Sequence, residues 1–174
     1  MNGYMKPQDI EKRSFEIITA ELGERTFQAG IAEVVKRVIH TTADFDYADS
    51  LAFSPDVIEK AKAALAAGAT VVTDTNMALS GESKATLAKL GGKAVIGNAP
   101  TALIRLHELI EEGIVAPALV IGVPVGFVNV VEAKELFIGG DTPYIIARGR
   151  KGGSNVAASI VNALLYQMGH PEGV

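Results

Sequence analysis

Apolar residues first recur at helical spacing, then gather into short unbroken runs, and this change of rhythm divides the chain. Ile10, Ser14, Ile17, Ile18 and Leu22 share one stripe of a helix predicted over Asp9 to Leu22, with Gly23 as its stop. Ile31, Val34, Val35, Val38 and Ile39 mark a second helix from Gln28 to Ile39, which delivers His40 to its C-terminal end. Ser54-Pro55 reads as an N-cap and first helical residue for a third, with Val57, Ile58, Ala61 and Leu65 inward and Gly68 closing it. Beyond Gly68 come four β-branched or aliphatic runs, Thr70 to Thr73, Ala94 to Ile96, Ala118 to Ile121 and Tyr144 to Ala147. Such runs predict strands covered on both faces. Helices are predicted between and after them: Ser83 to Leu90; from Pro100 through Leu103, Leu106, Leu109 and Ile110; Val130 to Leu136; and a last one carrying Val156, Ile160, Val161, Leu164 and Leu165.

Buried strands alternating with helices require right-handed crossovers, hence an α/β fold: three layers, α/β/α, around a mainly parallel sheet. No internal repeat or linker divides residues 1–174, so one domain is expected. Ligands of such sheets bind beyond the carboxyl ends of the strands. Here those ends carry Asp74 to Asn76, Gly97 to Thr101, Gly122 to Gly126 and Arg148 to Asn155.

Composition narrows the function. The chain has 174 residues, 48% hydrophobic and 21% charged, enough for one buried core. A net charge of -4 argues against nucleic acid as a partner, which would call for a basic stripe. The absence of cysteine excludes disulfides and thiolate metal sites and fits a cytoplasmic location. Residues Ile114 to Val131 carry no charge, but Pro117, Gly122, Pro124, Gly126 and Asn129 break them into loop, strand and turn, so no membrane span is expected.

Two stretches offer chemistry. The first is Arg37 to Asp49, where a helix ends in His40, Thr41 and Thr42, followed by Asp44, Asp46 and Asp49. A helix C-terminus favours a cation, which suits an imidazole acting as proton donor, although a histidine there can equally cap the last carbonyls. The carboxylates could hold a hard cation or serve as helix caps. The second is Gly149-Arg150-Lys151-Gly152-Gly153-Ser154-Asn155, whose glycines, cations and following helix suit a phosphate or a carboxylate. It lacks the ending of a P-loop. His40, His107 and His170 are too scattered for a metal cluster, and His107 is expected at the surface.

These residues carry a resemblance. Arg37 to Asp46, Thr73 to Ala78, Gly97 to Leu103, Gly122 to Val128 and Gly149 to Asn155, in that order, are together similar to the precorrin-8X methylmutase family, and Thr41-Thr42-Ala43-Asp44 resembles its cobalt-precorrin-8 form. The resemblance implies a flavodoxin-like fold and an isomerase of cobalamin biosynthesis that moves a methyl group between adjacent ring-C carbons. The product is cobyrinic acid, or hydrogenobyrinic acid without cobalt. It also implies a homodimer, a corrinoid substrate and product, and no resident cofactor, any cobalt arriving inside the substrate. His40 matches the family's catalytic acid/base, and Ser14 a substrate contact. With the strand-end argument, the expected substrate-binding residues are Ser14, Arg37, Thr41, Thr42, Asp74, Asn98, Thr101, Gly126, Arg148, Lys151, Gly152, Gly153 and Ser154. One departure stands out: where the family carries an extra strand and helix between Gly91-Gly92 and Gly97-Asn98, this chain has only Lys93 to Ile96, so a break in the backbone is expected there. Alternatives are a non-catalytic corrinoid carrier, motivated by that short segment, and a phosphate- or nucleotide-binding α/β enzyme using the Gly149 to Asn155 loop.

Overall fold

The computed structural model describes residues 7–74 and 93–169. The helix predicted from Ser83 to Leu90, the Gly91-Gly92 end of the expected break, and His170 lie outside them. The described elements run α1 (Pro7–Leu22), α2 (Ile31–Thr42), α3 (Tyr47–Ser50), β1 (Leu51–Phe53), α4 (Val57–Ala66), β2 (Thr70–Thr73), β3 (Lys93–Gly97), α5 (Pro100–Glu111), β4 (Val120–Gly122), α6 (Val130–Glu135), β5 (Tyr144–Ala147) and α7 (Ser154–Gln167).

The strands form one five-stranded sheet in the order β1-β5-β4-β3-β2. β2, β3, β4 and β5 pair in parallel, and β1 runs antiparallel to β5, Ala52 opposite Ile146. Alternation along each strand divides the core in two. Ile96, Ile121, Ile145 and Ala147 face helices α1, α2, α4 and α7 through Val34, Val38, Ile58 and Leu164. Val120, Tyr144 and Ile146 face α5 and α6 through Leu103 and Ala133. Strands β4 and β5, each flanked on both sides, are buried throughout, which is why their sequences are unbroken apolar runs.

Four expectations need correction. Thr70 to Thr73 is not covered on both faces: among the described strands it is one of the sheet's two edges, and Val72 is 47% exposed. In α1, Ile18 and Leu22 are buried, but Ile10 and Ile17 are 53% and 44% exposed, because the helix packs on α2 through one narrow side. Ser54 does not cap α4; its Oγ accepts a hydrogen bond from the Tyr144 amide at 2.9 Å, and Asp56, in the left-handed conformation, occupies the cap position. The antiparallel strand β1 and the short α3 before it are absent from the sequence reading. At three and four residues they are too short to show a period.

Candidate functional site

Helix α2 runs past His40 to Thr42 and ends at Ala43, whose left-handed backbone lets its N–H reach the Ile39 carbonyl at 2.7 Å. Thr41 and Thr42 donate their hydroxyls back to the carbonyls of Arg37 and Val38 at 3.0 and 2.8 Å. His40 therefore does not cap the helix. Its Nδ1 instead lies 2.7 Å from Ser14 Oγ on α1, a contact across 26 residues of sequence that leaves Nε2 as the ring nitrogen open to a ligand.

Aromatic packing fixes the imidazole plane. Phe15 stacks on His40 with centroids 5.2 Å apart and planes 22° from parallel. Arg37, one turn before His40 on the same face of α2, places its guanidinium 4.7 Å from the Phe15 centroid and 4.6 Å from that of Tyr166 on α7. Arg37 also forms an ion pair with Glu11. It is expected as a substrate contact, but its guanidinium already has two rings and a carboxylate around it, so its structural part is to brace Phe15.

Ser14 and His40 border a cavity of about 350 Å³, which Ile10, Ile17, Ile39 and Phe45 line with apolar surface and Arg13 and Glu21 edge with charge. The exposed isoleucines of α1 thus belong to this cavity rather than to the core. Thr41 and Thr42 adjoin it in sequence but do not line it, and neither does any residue of the Gly149 to Asn155 loop.

That loop is nevertheless tied to the site. The Lys151 ammonium donates to Asp44 Oδ2 and Asp46 Oδ2, both at 2.6 Å, bridging the loop after β5 to the turn after α2. Asp44 is consequently held below the usual carboxylate range, chiefly by its hydrogen bond from Lys151, and Lys151 is raised by Asp44 and then Asp46. Asp49 pairs with Arg25 at 2.6 Å. Among the described residues no group of three or more His, Cys, Asp or Glu converges as a metal site, and the three aspartates are committed to cations of the chain.

The other strand ends interlock. The Gly126 N–H donates to the Arg150 carbonyl at 3.1 Å, the Gly153 N–H to the Val123 carbonyl at 2.7 Å, and the Arg150 guanidinium lies 5.4 Å over the Phe127 ring. Phe127 is 83% exposed, so the two loops together present an apolar and cationic rim. Arg148 makes a bidentate pair with Glu135, both contacts at 2.9 Å. Asp74 accepts the amides of Asn98 and Ala99 at 2.9 and 2.7 Å and so ties the end of β2 to the turn that leads into α5, with the exposed Thr101 one turn along. His107 is half-buried, edge-on to Phe137 at 5.5 Å, rather than at the surface.

The residues that sequence reasoning missed are Phe15, Tyr166 and Lys134. Phe15 had a signal, its adjacency to Ser14; Tyr166 and Lys134 had none. Lys134 is fully buried on α6, donates to the carbonyls of Gly149 and Lys151 at 2.8 Å each, and is lowered to about 8 by burial. Its folded pKa lies below the free value, so between about pH 8 and 10 the unfolded chain binds the extra proton and stability rises with pH. Tyr47, raised by burial, and Lys151 titrate above that window and act in the opposite sense. Denaturant unfolding at pH 8 and pH 10 is expected to show wild type gaining on a Lys134→Met variant by one to a few kcal/mol, each tenfold change in proton affinity being worth roughly 1.4 kcal/mol. Parallel curves would place the Lys134 charge in water.

Comparison with known proteins follows the same line. A profile of the Precorrin-8X methylmutase family matches residues 9–95 and 91–167. The cobalt-precorrin-8 methylmutase of Salmonella typhimurium is 40% identical over 213 aligned positions, covering 97% of this chain and 99% of that protein. The cobalt-precorrin-8 methylmutase of Priestia megaterium is 39% identical, covering 92% and 88%. The crystal structure of a precorrin-8X methylmutase from Thermus thermophilus superposes with a TM-score of 0.84 at 35% identity, over 92% of this chain and 97% of that one. In the Salmonella alignment 97% of this chain supplies only about 169 of the 213 positions, so some 44 have no counterpart here, and the two profile matches meet at 91–95, where the short connection lies. With the α/β/α fold, these similarities show that the chain belongs to the precorrin-8X methylmutase family.

Proposed function

We propose that this methylmutase works on (cobalt-)precorrin-8 at the His40 cavity, with His40 as the group that serves ring C. The observation that carries the reading is the 2.7 Å contact between Ser14 Oγ and His40 Nδ1 at the rim of an apolar cavity. A methyl group leaves one ring-C carbon and bonds to its neighbour; no atom is gained or lost and nothing is oxidised. What the protein must do is hold the macrocycle and draw electron density toward the ring-C nitrogen as the methyl moves. A proton or hydrogen bond from His40 Nε2 does so, and returns when the product forms. Ser14 holds the ring at Nδ1, as donor to the neutral imidazole or acceptor from the protonated one, and Phe15 sets its plane, so little reorganisation is left for the reacting step.

A corrinoid is flat, apolar across its face and edged with carboxylates. About 350 Å³ takes one edge of it. The cavity is open at Ile10 and Ile17 on α1, so the rest of the macrocycle projects beyond them; a second copy of the chain would cover it there, and a homodimer is part of the proposal. Peripheral carboxylates meet the Gly149 to Asn155 loop, with Lys151, Gly152, Gly153 and Ser154 nearest and Gly126 and Arg148 beside them; Asp74, Asn98 and Thr101 extend the same edge. The protein itself supplies no cofactor in this reading, and cobalt, when present, enters within the substrate. Among the described residues no helix is long and apolar enough to cross a membrane, and the cytoplasm is the proposed location.

Purified protein mixed with cobalt-precorrin-8 is expected to convert the substrate's absorption spectrum to that of cobyrinic acid with clean isosbestic points. Binding without spectral conversion would mark the short-segment form as a carrier and overturn the reaction.

A further inference from the structure

We infer that Lys134 is a positioning residue of the Gly149 to Asn155 loop: from beneath, it turns the loop's peptide units so that their N–H groups face the bound ligand's carboxylates. The inference rests on the proposed function, in which that loop meets those carboxylates.

The geometry is specific. Lys134 is fully buried on α6, and its Nζ donates to the Gly149 and Lys151 carbonyls, 2.8 Å each. The carbonyl between them, of Arg150, accepts from the Gly126 N–H at 3.1 Å. Three successive carbonyls are therefore fastened to the body of the protein. In a trans peptide the C=O and the following N–H point in opposite directions. Fastening the carbonyls of Gly149, Arg150 and Lys151 thus aims the N–H groups of Arg150, Lys151 and Gly152 away from their anchors. The Arg150 and Gly152 N–H groups find no backbone acceptor among the described residues, while that of Lys151 turns back over Gly149 and Arg150 to close the loop's tight turn. Gly149, at φ +74°, supplies the left-handed turn that such outward amides need.

The choice of residue follows from the position. A buried lysine normally has a carboxylate beside it. Here its two partners are neutral carbonyls, and burial penalises the charge. A neutral residue of similar length would avoid that penalty, so the ammonium is better explained by what its charge does: it grips two carbonyls more firmly than an uncharged donor and adds positive potential behind the amides. Arg150 projects the remaining charge of the rim, and Lys151, whose carbonyl Lys134 holds, reaches Asp44 and Asp46 with its ammonium.

The test uses the full chain with cobyrinic acid as probe. Lys134→Met removes charge and donors at similar length; Lys134→Gln keeps two N–H donors without charge. Each is titrated by absorbance, assayed for kcat and KM, and followed at the Arg150 and Gly152 amides by 15N–1H correlation spectra. The expected result is a tenfold to hundredfold loss of affinity in Lys134→Met, carried by KM with kcat changed less than threefold, partial recovery in Lys134→Gln, and loss of the ligand-induced shifts that wild type shows at both amides. Wild-type affinity and shifts in a folded Lys134→Met, or equal losses of kcat and affinity, would overturn the inference. If Lys134→Met does not fold, Lys134→Gln decides: its affinity must fall between tenfold and wild type, and unchanged affinity refutes it. Wild-type amides that stay still when cobyrinic acid binds would instead sink the loop's place in the proposed function, whatever the variants do.

Discussion

Replacing His40 with alanine is expected to lower turnover by roughly 10²- to 10⁴-fold, the range for losing a general acid, while cobyrinic acid still binds within a few-fold of wild type. The asymmetry follows from when each contact matters. Apolar surface at Ile10, Ile17 and Phe45 and the cationic rim act on substrate and transition state alike, whereas a hydrogen bond from His40 strengthens as density flows toward the ring-C nitrogen. Single-turnover rates and titrations on both proteins separate the two effects. Near-normal turnover would remove His40 from the chemistry. Lost binding with an unchanged chemical step would recast it as a group that seats the substrate. Loss of the Phe15 stacking contact accompanies the substitution, so the variant's Tm should be compared as well.

The second large effect is expected at Gly152. A Cβ added there would lie 2.7 Å from the Pro124 carbonyl oxygen and closer still to that of Val123, both backbone atoms that cannot swing aside. Gly152→Ala must therefore push the loop outward, breaking the 2.7 Å bond from the Gly153 N–H to the Val123 carbonyl and misplacing the Lys151 carbonyl over Lys134. Overpacking of this kind costs about 1–3 kcal/mol. The expected result is a Tm lower by roughly 3–10 °C and corrinoid affinity reduced at least tenfold. Gly149→Ala provides the contrast, because open space surrounds its would-be Cβ and only the positive φ is strained, at about 1 kcal/mol. Equal behaviour of the two variants, or wild-type binding by Gly152→Ala, would show that the close approach of the two loops does not matter.

The parts of the fold that are legible in the sequence are those whose burial is total. Tyr144 to Ala147 is buried at every position, and the apolar run predicts its bounds correctly. Helix α2, with Val34, Val35, Val38 and Ile39 buried, starts three residues later than its pattern predicts and ends three beyond it, since Thr41 and Thr42 give no apolar signal. Thr70 to Thr73 is located correctly and its environment is not, because β-branched composition marks a strand without saying how many neighbours it has. Strand β1 is invisible in the sequence: three residues whose pairing with β5 is decided by tertiary packing.

The candidate site divides in the same way. His40 and Ser14 stand out by motif, yet their hydrogen bond joins two helices and no spacing encodes it. Arg148 and Lys151 read in the sequence as cations free for a ligand. Both are paired, with Glu135 and with Asp44 and Asp46, because carboxylates far away in sequence fold against them. Lys134 looks in sequence like any solvated helix lysine, since nothing in its neighbours announces two carbonyls waiting underneath the next loop.

The clasp of Lys151 between two aspartates bears on which anions this protein would accept. In the proposed function an incoming carboxylate competes with Asp44 and Asp46 for the same ammonium, both already at 2.6 Å. A lone carboxylate offers less than it displaces and is turned away. A ligand that brings several carboxylates on a rigid frame can replace the internal pair while its other groups engage the outward amides, so the clasp works as a threshold that screens small metabolic acids from the loop. Added salt weakens the internal pair and the ligand's hold together. Binding should for that reason depend on ionic strength less steeply than the number of cations at the rim would suggest.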